Sequence, residues 1–182
     1  MSLLSHDQLL RLVADGVITG VTEDMVNAAS IDITVGPTFF VETTPAEGDA
    51  ALVSLQDRQP PAMLEVRAEG RPFILPAGGF CLAHSQQKFY LPANISAEYK
   101  LKSSMARIGM NHALAGWCDA GWHDSVLTLE LHNVLRKHSI AIREGDRIGQ
   151  MIFFQHEPVP EKASYATRGR YNGDHTVRGM KP

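Results

Sequence analysis

Short stretches in which apolar and polar residues alternate dominate this 182-residue chain and predict β-strands. In the first of them Ile31, Ile33 and Val35 alternate with Asp32 and Thr34 before a Gly-Pro break. Comparable runs are expected at residues 73–75, 80–83, 88–91, 126–134, 140–142 and 148–154. Many short strands separated by glycine and proline turns indicate an antiparallel sandwich or barrel-like β fold.

The N-terminal segment has the pattern of a short helix. Ser5 and Gln8 form a capping-box pair, and Gly16 suits the left-handed position after a helix. The apolar residues between them repeat at helical spacing: Leu9, Leu10, Leu12 and Val13. We therefore predict a helix over about residues 6–14.

Two segments lack such patterns. Residues 42–71 are rich in Pro, Glu, Asp and Gln, and we interpret them as a long surface excursion within the domain. Residues 157–182 contain several Gly and Pro, and we expect a mobile or induced-fit tail. Because this length suits one domain, we expect a single domain over residues 1–182.

The charge balance and the cysteines restrict the classes of function. Lys and Arg number 17 against 20 Asp and Glu, a net charge of −3, which argues against a nucleic-acid partner but leaves a small anionic ligand open. No apolar run approaches the ~18 residues that span a bilayer, and a signal-peptide pattern is missing, so no membrane partner is expected. Two distant cysteines, Cys81 and Cys118, favour a cytoplasmic location over a disulfide framework.

The densest group of polar residues lies between Lys102 and Gly109. Ser103 or Ser104 can cap a short helix that Gly109 ends, and Arg107 would share a face with Ser103. Hydroxyls, free backbone N–H groups and two basic side chains would form a phosphate site. The same residues also fit an ordinary capped turn with solvated charges, and their spacing leaves both interpretations open.

Two further features carry candidate chemistry. Residues 115–122 place two glycines and two tryptophans around Asp119, which fits either a tight loop with an aromatic wall or a core-packing loop with a capped turn. Glu130 lies in the middle of a predicted strand, on the face opposite the leucines. It is an ordinary solvent-facing residue unless that face lines a cleft, where burial would raise its pKa toward that of a general base.

The histidines and cysteines show no recognisable metal pattern. Eight histidines are present, but the His-x-Glu and Pro-Cys-x-x-Cys pattern of zinc nucleobase deaminases is missing, so no zinc is expected. Cys118 lies near His112 and His123 in sequence and would form a nucleophile pair with either, although we prefer a buried thiol.

Five segments, in order along almost the whole chain, resemble the motifs of the dCTP deaminase family. They are residues 27–33 (Asn-Ala-Ala-Ser-Ile-Asp-Ile), 102–109 (Lys-Ser-Ser-Met-Ala-Arg-Ile-Gly), 115–122 (Ala-Gly-Trp-Cys-Asp-Ala-Gly-Trp), 127–130 (Leu-Thr-Leu-Glu) and 147–150 (Arg-Ile-Gly-Gln). Each motif is weak alone, but five in register are specific. The resemblance implies a mainly β, dUTPase-like distorted barrel with short helices, assembled as a homotrimer with active sites between subunits.

The resemblance also implies catalytic roles for four residues. Glu130 would be the general base that takes a proton from water and later delivers one to the leaving ammonia. Ser103 and the carbonyl of Ala115 would orient that water, and Arg107 would stabilise the site electrostatically. Attack at C4 of cytosine would need no metal ion at the base.

Nucleotide contacts are implied for nine further positions. Those expected at the triphosphate, with Mg²⁺ bridging its oxygens, are Lys102, Ser104, Tyr165 and Arg170. Those expected at the sugar, the pyrimidine and elsewhere on the nucleotide are Asp119, Thr128, Leu129, Gln150 and Asp174.

Three of these positions depart from the family pattern. Lys102 stands where the family usually has Arg, and Arg170 where it has Lys. Asp174 stands where a Gln is expected, and a carboxylate beside a triphosphate would repel it. Residues 162–182 nevertheless carry a local charge of +4, which suits a tail that closes over one triphosphate.

The leading functional expectation is the deamination of dCTP to dUTP and ammonia, with dCTP and dUTP as partners and inhibition by dTTP left open. The alternative is a bifunctional enzyme that continues to dUMP and pyrophosphate. Residues 115–117 resemble the bifunctional members, although Leu114 stands where those tend to carry Thr. A plain dUTPase has no need of Glu130, and a non-catalytic nucleotide-binding trimer would not need Ser103, Arg107 and Glu130 together.

Overall fold

The computed structural model of the protein describes residues 2–45, 52–54, 56 and 60–181. Within this part of the chain the strands are β1 (Ser2–Leu3), β2 (Ile18–Thr19), β3 (Ile31–Thr34), β4 (Thr38–Glu42), β5 (Met63–Arg67), β6 (Phe73–Leu75), β7 (Phe80–Tyr90), β8 (Ile95–Leu101), β9 (Met110–Asn111), β10 (Trp117–Cys118), β11 (His123–Asn133), β12 (Ile140–Ile142) and β13 (Arg147–Gln155). The helices are α1 (His6–Ala14), α2 (Ser103–Arg107) and α3 (Tyr165–Arg168), with 3-10 turns at Glu23–Met25 and Glu161–Ala163. The prediction of a mainly β fold with short helices is confirmed. None of these described helices has the length and hydropathy needed to cross a membrane.

The strands form three antiparallel sheets. One contains β1, β13, β8 and β10 in that order, with β3 also paired to β13. A second contains β5, β4, β7, β11 and β9 in that order, with β2 also paired to β7. The third is the pair of β12 and β6. Strands distant in sequence are thus neighbours, which brings separate motifs of the chain together.

The core is built from the apolar faces that the alternation predicts. Its largest fully buried side chains are Phe39, Phe89, Phe153, Leu9, Ile18, Ile31, Ile33, Leu75, Leu129, Leu131, Ile142 and Ile148. Phe39 stacks on Phe73 with ring centroids 4.1 Å apart, which connects the second sheet to the third. Cys81 and Cys118 are both buried and free.

The runs expected at 80–83 and 88–91 are parts of one long strand, β7. Of the polar residues between them His84, Ser85 and Gln87 are buried, and they have partners that the sequence does not reveal. The hydroxyl of Ser85 accepts a hydrogen bond of 2.8 Å from the backbone N–H of Leu127, and the Gln87 side chain accepts one of 2.9 Å from the N–H of Thr34. Because these bonds satisfy the polar groups, the strand continues through them.

The segment 42–71 is more regular than expected. Strand β5 lies within it and pairs with β4, so that Thr38 faces Arg67 and Glu42 faces Met63. Its alternating Leu64 and Val66 are a strand pattern that the surface interpretation passed over. Residues 46–51, 55 and 57–59 of this segment lie outside the described residues.

Of the two predicted helix starts, the one at α1 is confirmed and the one at α2 is wrong. Helix α1 spans His6–Ala14 as predicted, and Gln8 Oε1 accepts a hydrogen bond of 2.9 Å from the Ser5 backbone N–H. In α2 the expected Ser103 or Ser104 cap is wrong. Lys102 is the N-cap residue and makes no side-chain capping bond, while both serines are the first residues of the helix. Lys102 directly follows β8, and its backbone N–H donates a hydrogen bond of 3.0 Å to the carbonyl of Ile148 in β13, which fixes the start of the helix.

Candidate active site

A cavity of about 410 Å³ lies between strand β11, the loop that precedes it and the C-terminal segment. Its walls are Leu82, Ala115, Trp117, Cys118, Asp119, Trp122, Val126, Leu127, Thr128, Glu130, Tyr165, Tyr171, Asp174, Arg178, Gly179 and Met180. The volume and the mixed aromatic and polar lining are typical of a small-molecule site.

Six of the thirteen site residues expected from the sequence meet in this cavity. They are Ala115, Asp119, Thr128, Glu130, Tyr165 and Asp174. Leu129 lies on the same strand, but it is 1% exposed and belongs to the core.

Glu130 faces the cavity because its neighbours on β11 face the core. Leu129 and Leu131 are almost completely buried, and the strand alternation turns Glu130 to the opposite side. Burial raises the pKa of the Glu130 carboxyl from its usual 4.5 to about 7. Of the two interpretations left open by the sequence, the structure therefore supports the cleft, where a carboxyl with this pKa can exchange protons near neutral pH.

The loop before β10, which places Ala115 at the cavity, has an unusual backbone conformation. Ala113 and Leu114 have φ angles of 52° and 61°, in the left-handed region that side chains disfavour. At Gly116 a Cβ would lie 2.5 Å from the carbonyl oxygen of Tyr99, so only glycine fits. The Gly116 carbonyl accepts a hydrogen bond of 2.7 Å from the Tyr99 N–H, which anchors the loop on β8.

The aromatic wall predicted around Asp119 is present. The Trp117 indole nitrogen donates a hydrogen bond of 2.8 Å to the Asp119 carboxylate, which holds that carboxylate at the cavity wall. Trp122 stacks on Phe89 of β7 with centroids 5.1 Å apart. The loop thus has one side packed on β7 and one side that lines the cavity, while the Asp119 carboxylate binds the Trp117 indole and does not cap a turn.

Cys118 is a buried thiol and not part of a nucleophile pair. Burial raises the pKa of the Cys118 thiol to about 12, so the thiol stays protonated at neutral pH. Its sulfur lies 4.0 Å from the Gly116 carbonyl oxygen, whereas the ring of His112 packs edge-on against Tyr99. The ring of His123 binds the Gly121 carbonyl. Neither histidine is in place to take a proton from Cys118.

The C-terminal segment supplies a wall of the cavity through contacts that the sequence did not reveal. The Trp122 indole donates a hydrogen bond of 2.8 Å to the carbonyl of Tyr171, and the Val126 N–H donates one of 2.8 Å to the carbonyl of Asp174. Val177 is completely buried. At Gly121 a Cβ would lie 2.0 Å from the Ser164 hydroxyl, so this glycine allows the segment to approach. The sequence signal for these contacts was weak, because Val177 is an apolar residue in a mostly polar tail.

The other six expected residues do not line this cavity. Ser103, Ser104 and Arg107 lie exposed on α2, and Arg170 is exposed in the C-terminal segment. Lys102 and Gln150 are partly buried beside β3 instead. Within one chain, three of the four residues expected at the triphosphate thus lie outside the cavity that contains Glu130, and so do the catalytic candidates Ser103 and Arg107.

Lys102 and Gln150 belong to a polar cluster around Asp32, a residue that the sequence assigned no role. The Asp32 side chain, 4% exposed, lies 2.6 Å from the Lys102 ammonium and 3.5 Å from the Arg147 guanidinium. It also accepts a hydrogen bond of 2.9 Å from the Asn27 amide. An acidic residue inside a wholly buried strand was a signal, because buried charges need partners.

Acidic groups outnumber basic ones around the cavity. Asp119, Glu130 and Asp174 line it, and Arg178 is the one basic residue among its described lining residues. Arg178 itself lies 3.7 Å from the Asp174 carboxylate. Among the residues that the structure describes, no three His, Cys, Asp or Glu side chains gather to hold a metal ion. A Mg²⁺ ion carried by a triphosphate fits this donor set.

The chain is similar to several proteins named dCTP deaminase, dUMP-forming. That of Corynebacterium diphtheriae is 31% identical over 99% of this chain and 96% of its own length. That of Bifidobacterium adolescentis is 34% identical over 99% and 92%, and that of Methanospirillum hungatei is 36% identical over 74% and 70%.

Solved structures share the dUTPase-like fold. The 2′-deoxycytidine 5′-triphosphate deaminase of Agrobacterium tumefaciens matches with a TM-score of 0.60 and 23% identity over 83% of this chain, which spans 47% of that longer protein. A dUTPase of phage phi11 of S. aureus matches with a TM-score of 0.50 and 13% identity, over 78% of this chain and 86% of its own. The family described as dCTP deaminase-like matches residues 3–156. With the relatives at 31% and 34% identity over 99% of its length, this match shows that the chain belongs to the dCTP deaminase-like family.

Proposed function

We propose that this protein is a bifunctional enzyme that deaminates dCTP and then hydrolyses the product to dUMP and pyrophosphate. The leading expectation from the sequence ended at dUTP. The relatives that cover almost the whole chain are named dUMP-forming, and they favour the alternative. The observation that carries the deamination is the Glu130 carboxyl in the cavity, with a pKa of about 7.

The first step replaces the 4-amino group of cytosine with oxygen. Glu130 takes a proton from a water molecule, and the resulting hydroxide forms a C–O bond at C4. In the tetrahedral intermediate Glu130 returns the proton to the amino group, the C–N bond breaks, and ammonia leaves. The second step consumes another water, breaks the bond between the α- and β-phosphates, and releases dUMP and pyrophosphate.

The cavity supports a pyrimidine nucleotide in one orientation. The edge of β11 from Thr128 to Glu130 offers backbone groups to the base, and Asp119 offers a carboxylate to the deoxyribose hydroxyl. Tyr165 and the C-terminal segment cover the opposite side. We place the Ala115 carbonyl beside the attacking water, since it lines the same cavity as Glu130.

The charges of the cavity favour a site shared between subunits. A triphosphate needs several cationic partners, yet Arg178 is the one basic residue among the described lining residues and is paired with Asp174. Lys102, Ser103, Ser104 and Arg107 lie together on another surface of the chain, close to Gln150. We propose a homotrimer in which this surface of one subunit completes the cavity of its neighbour, with Arg170 joining from the tail.

A product assay tests the reaction. Purified protein is incubated with dCTP and Mg²⁺, and dUTP, dUMP, ammonia and pyrophosphate are separated and quantified. We expect equal amounts of ammonia, dUMP and pyrophosphate, and no activity from Glu130→Gln although it still binds dCTP. Ammonia with dUTP alone would show a monofunctional deaminase, and no turnover would leave a nucleotide-binding protein.

Mixed trimers test the shared site. Glu130→Gln and Arg107→Ala are each expected to be inactive alone and to elute at about three times the 20.0 kDa chain mass. Unfolding and refolding the two variants together should restore about a quarter of the wild-type activity, because that fraction of random interfaces pairs two intact halves. If each site were built within one chain, mixing would restore nothing.

A further inference from the structure

We infer that Lys181 is a positioning residue, which holds the C-terminal segment over the cavity by neutralising the buried carboxylate of Asp174. We call this pairing the tail clasp. Its role in nucleotide binding rests on the function proposed above, whereas its role in docking the tail does not. It also accounts for the Asp at position 174, where the family resemblance leads one to expect a Gln.

Lys181 makes four contacts that close residues 170–181 into a loop. Its ammonium lies 2.8 Å from the Asp174 carboxylate and donates a hydrogen bond of 2.8 Å to the Arg170 carbonyl. The same ammonium sits 5.2 Å from the centre of the Tyr171 ring, and the Lys181 backbone N–H donates to the Tyr171 hydroxyl over 3.3 Å. One side chain thus ties the end of the segment to its beginning.

Asp174 needs this partner because it is buried where the tail meets strand β11. Its backbone N–H donates to the Ser125 hydroxyl and its carbonyl accepts from the Val126 N–H, so its main chain is fixed on the sheet. Its side chain is 10% exposed, and its other cation, Arg178, is 3.7 Å away. A buried carboxylate without a close cation is strongly unfavourable, so without Lys181 the tail would leave the cavity to hydrate Asp174.

The clasp also affects the charge that a nucleotide meets. Asp174 and Arg178 line the cavity, and with Lys181 the three groups sum to one positive charge. The tail therefore does not repel a polyanion, although the Asp174 carboxylate is part of the cavity wall. All contacts of Lys181 are with other groups of the same chain, so the tail clasp forms without a phosphate.

Trp122 offers a direct measure of tail docking. Its indole is 6% exposed and donates to the Tyr171 carbonyl, so undocking of the tail would expose it. The chain contains one other tryptophan, Trp117, which is 56% exposed. In a Trp117→Phe background, the emission maximum and the acrylamide quenching of Trp122 then report the tail alone.

The experiment compares four proteins in that background: the parent, Lys181→Met, Asp174→Asn with Lys181→Met, and the control Lys162→Met, which changes an exposed lysine of the same segment. We expect Lys181→Met to shift the Trp122 emission to the red and to raise its quenching constant several-fold. The second substitution should reverse both changes, because an amide needs no cation. Lys162→Met should match the parent, and far-UV circular dichroism verifies that all four are folded.

A kinetic arm with Trp117 retained separates the clasp from a direct phosphate contact. Lys181→Met should raise KM for dCTP about tenfold with little change in kcat, and adding Asp174→Asn should restore KM. A raised KM that Asp174→Asn does not restore, with Trp122 still shielded, would mean that Lys181 binds the nucleotide itself and would overturn the clasp. Unchanged Trp122 shielding in Lys181→Met would overturn it as well. If the protein turns over no dCTP, the fluorescence arm still decides.

Discussion

The ammonium of Lys102 lies 2.6 Å from the carboxylate of Asp32, which joins the residue before helix α2 to the buried strand β3. Asp32 is 4% exposed in its side chain and Lys102 is 28% exposed, so the pair is largely shielded from water. The charge pair therefore helps to hold the start of the polar motif at 102–109 against strand β3.

This pair predicts a large stability difference between neighbouring lysines. Lys102→Met leaves the buried Asp32 with Arg147 at 3.5 Å as its cation and should lower the free energy of unfolding by about 2–4 kcal/mol. Lys100→Met is the matched control, since its partner Glu98 is a surface residue, and should cost less than about 1 kcal/mol. Urea unfolding at one protein concentration measures both. Equal losses in the two variants would contradict the role of Asp32.

Glu130→Gln should stabilise the protein at pH 8 while it removes activity. The folded-state pKa of Glu130 is raised to about 7, so the folded protein binds this proton more tightly than the unfolded chain. Stability is therefore lost as the pH rises from about 4.5 to 7, and the loss is complete above that range. The variant should gain roughly 1–3 kcal/mol at pH 8 and nothing near pH 4. Glu157→Gln, an exposed control, should leave the free energy of unfolding unchanged at both pH values. If Glu130→Gln gained the same stability at pH 4 and pH 8, the raised pKa of Glu130 would be refuted.

The same pKa predicts the pH dependence of the reaction. Because the general base must be ionised in the free enzyme, kcat/KM for dCTP should be level above about pH 7 and fall tenfold per unit below it. Initial rates at low dCTP between pH 5 and 8.5, at constant ionic strength, measure the profile. A flat profile across this range would exclude Glu130 as the base that takes the proton from water.

Tyr99 carries a buried hydroxyl with no hydrogen-bond partner among the described residues. Tyr99→Phe should therefore raise the free energy of unfolding by about 0.5–2 kcal/mol, since it removes an unsatisfied polar group at constant shape. Gly149→Ala should have the opposite effect, because the new Cβ would lie 2.0 Å from the Tyr99 ring. We expect it to lower the free energy of unfolding by about 1–3 kcal/mol. Thermal unfolding compares both with wild type. A less stable Tyr99→Phe would show that the hydroxyl has a hydrogen-bond partner in solution.

Strand assignments followed the sequence closely where apolar and polar residues alternate. The strands around Ile31, Phe73, Leu129 and Ile140 and helix α1 lie where their periodicity predicts them, because one face of each packs into the core. Strand β7 was split in the prediction, since the bonds that satisfy Ser85 and Gln87 come from residues more than 40 positions away. Such long-range partners leave no local pattern.

The residues of the candidate site were likewise predicted only in part. The resemblance named Glu130, Thr128, Asp119 and Ala115, and the cavity brings all four together. Asp32, Tyr171 and Lys181 were missed, although each holds a residue that the sequence did name. Their roles depend on which charges and carbonyls meet in space, and spacing along the chain does not encode this for positions that belong to different elements.

The sequence by itself indicated the class of fold and the family, and through the family resemblance it named Glu130 as the candidate base. Periodicity and short motifs are local, and so they can be read without coordinates. Only the tertiary structure decided that the Glu130 face lines a cavity, that burial raises its pKa to about 7, and that the motif at residues 102–109 lies outside that cavity. Burial depends on how all the strands pack, and it gives a glutamate in a strand a pKa near neutral pH.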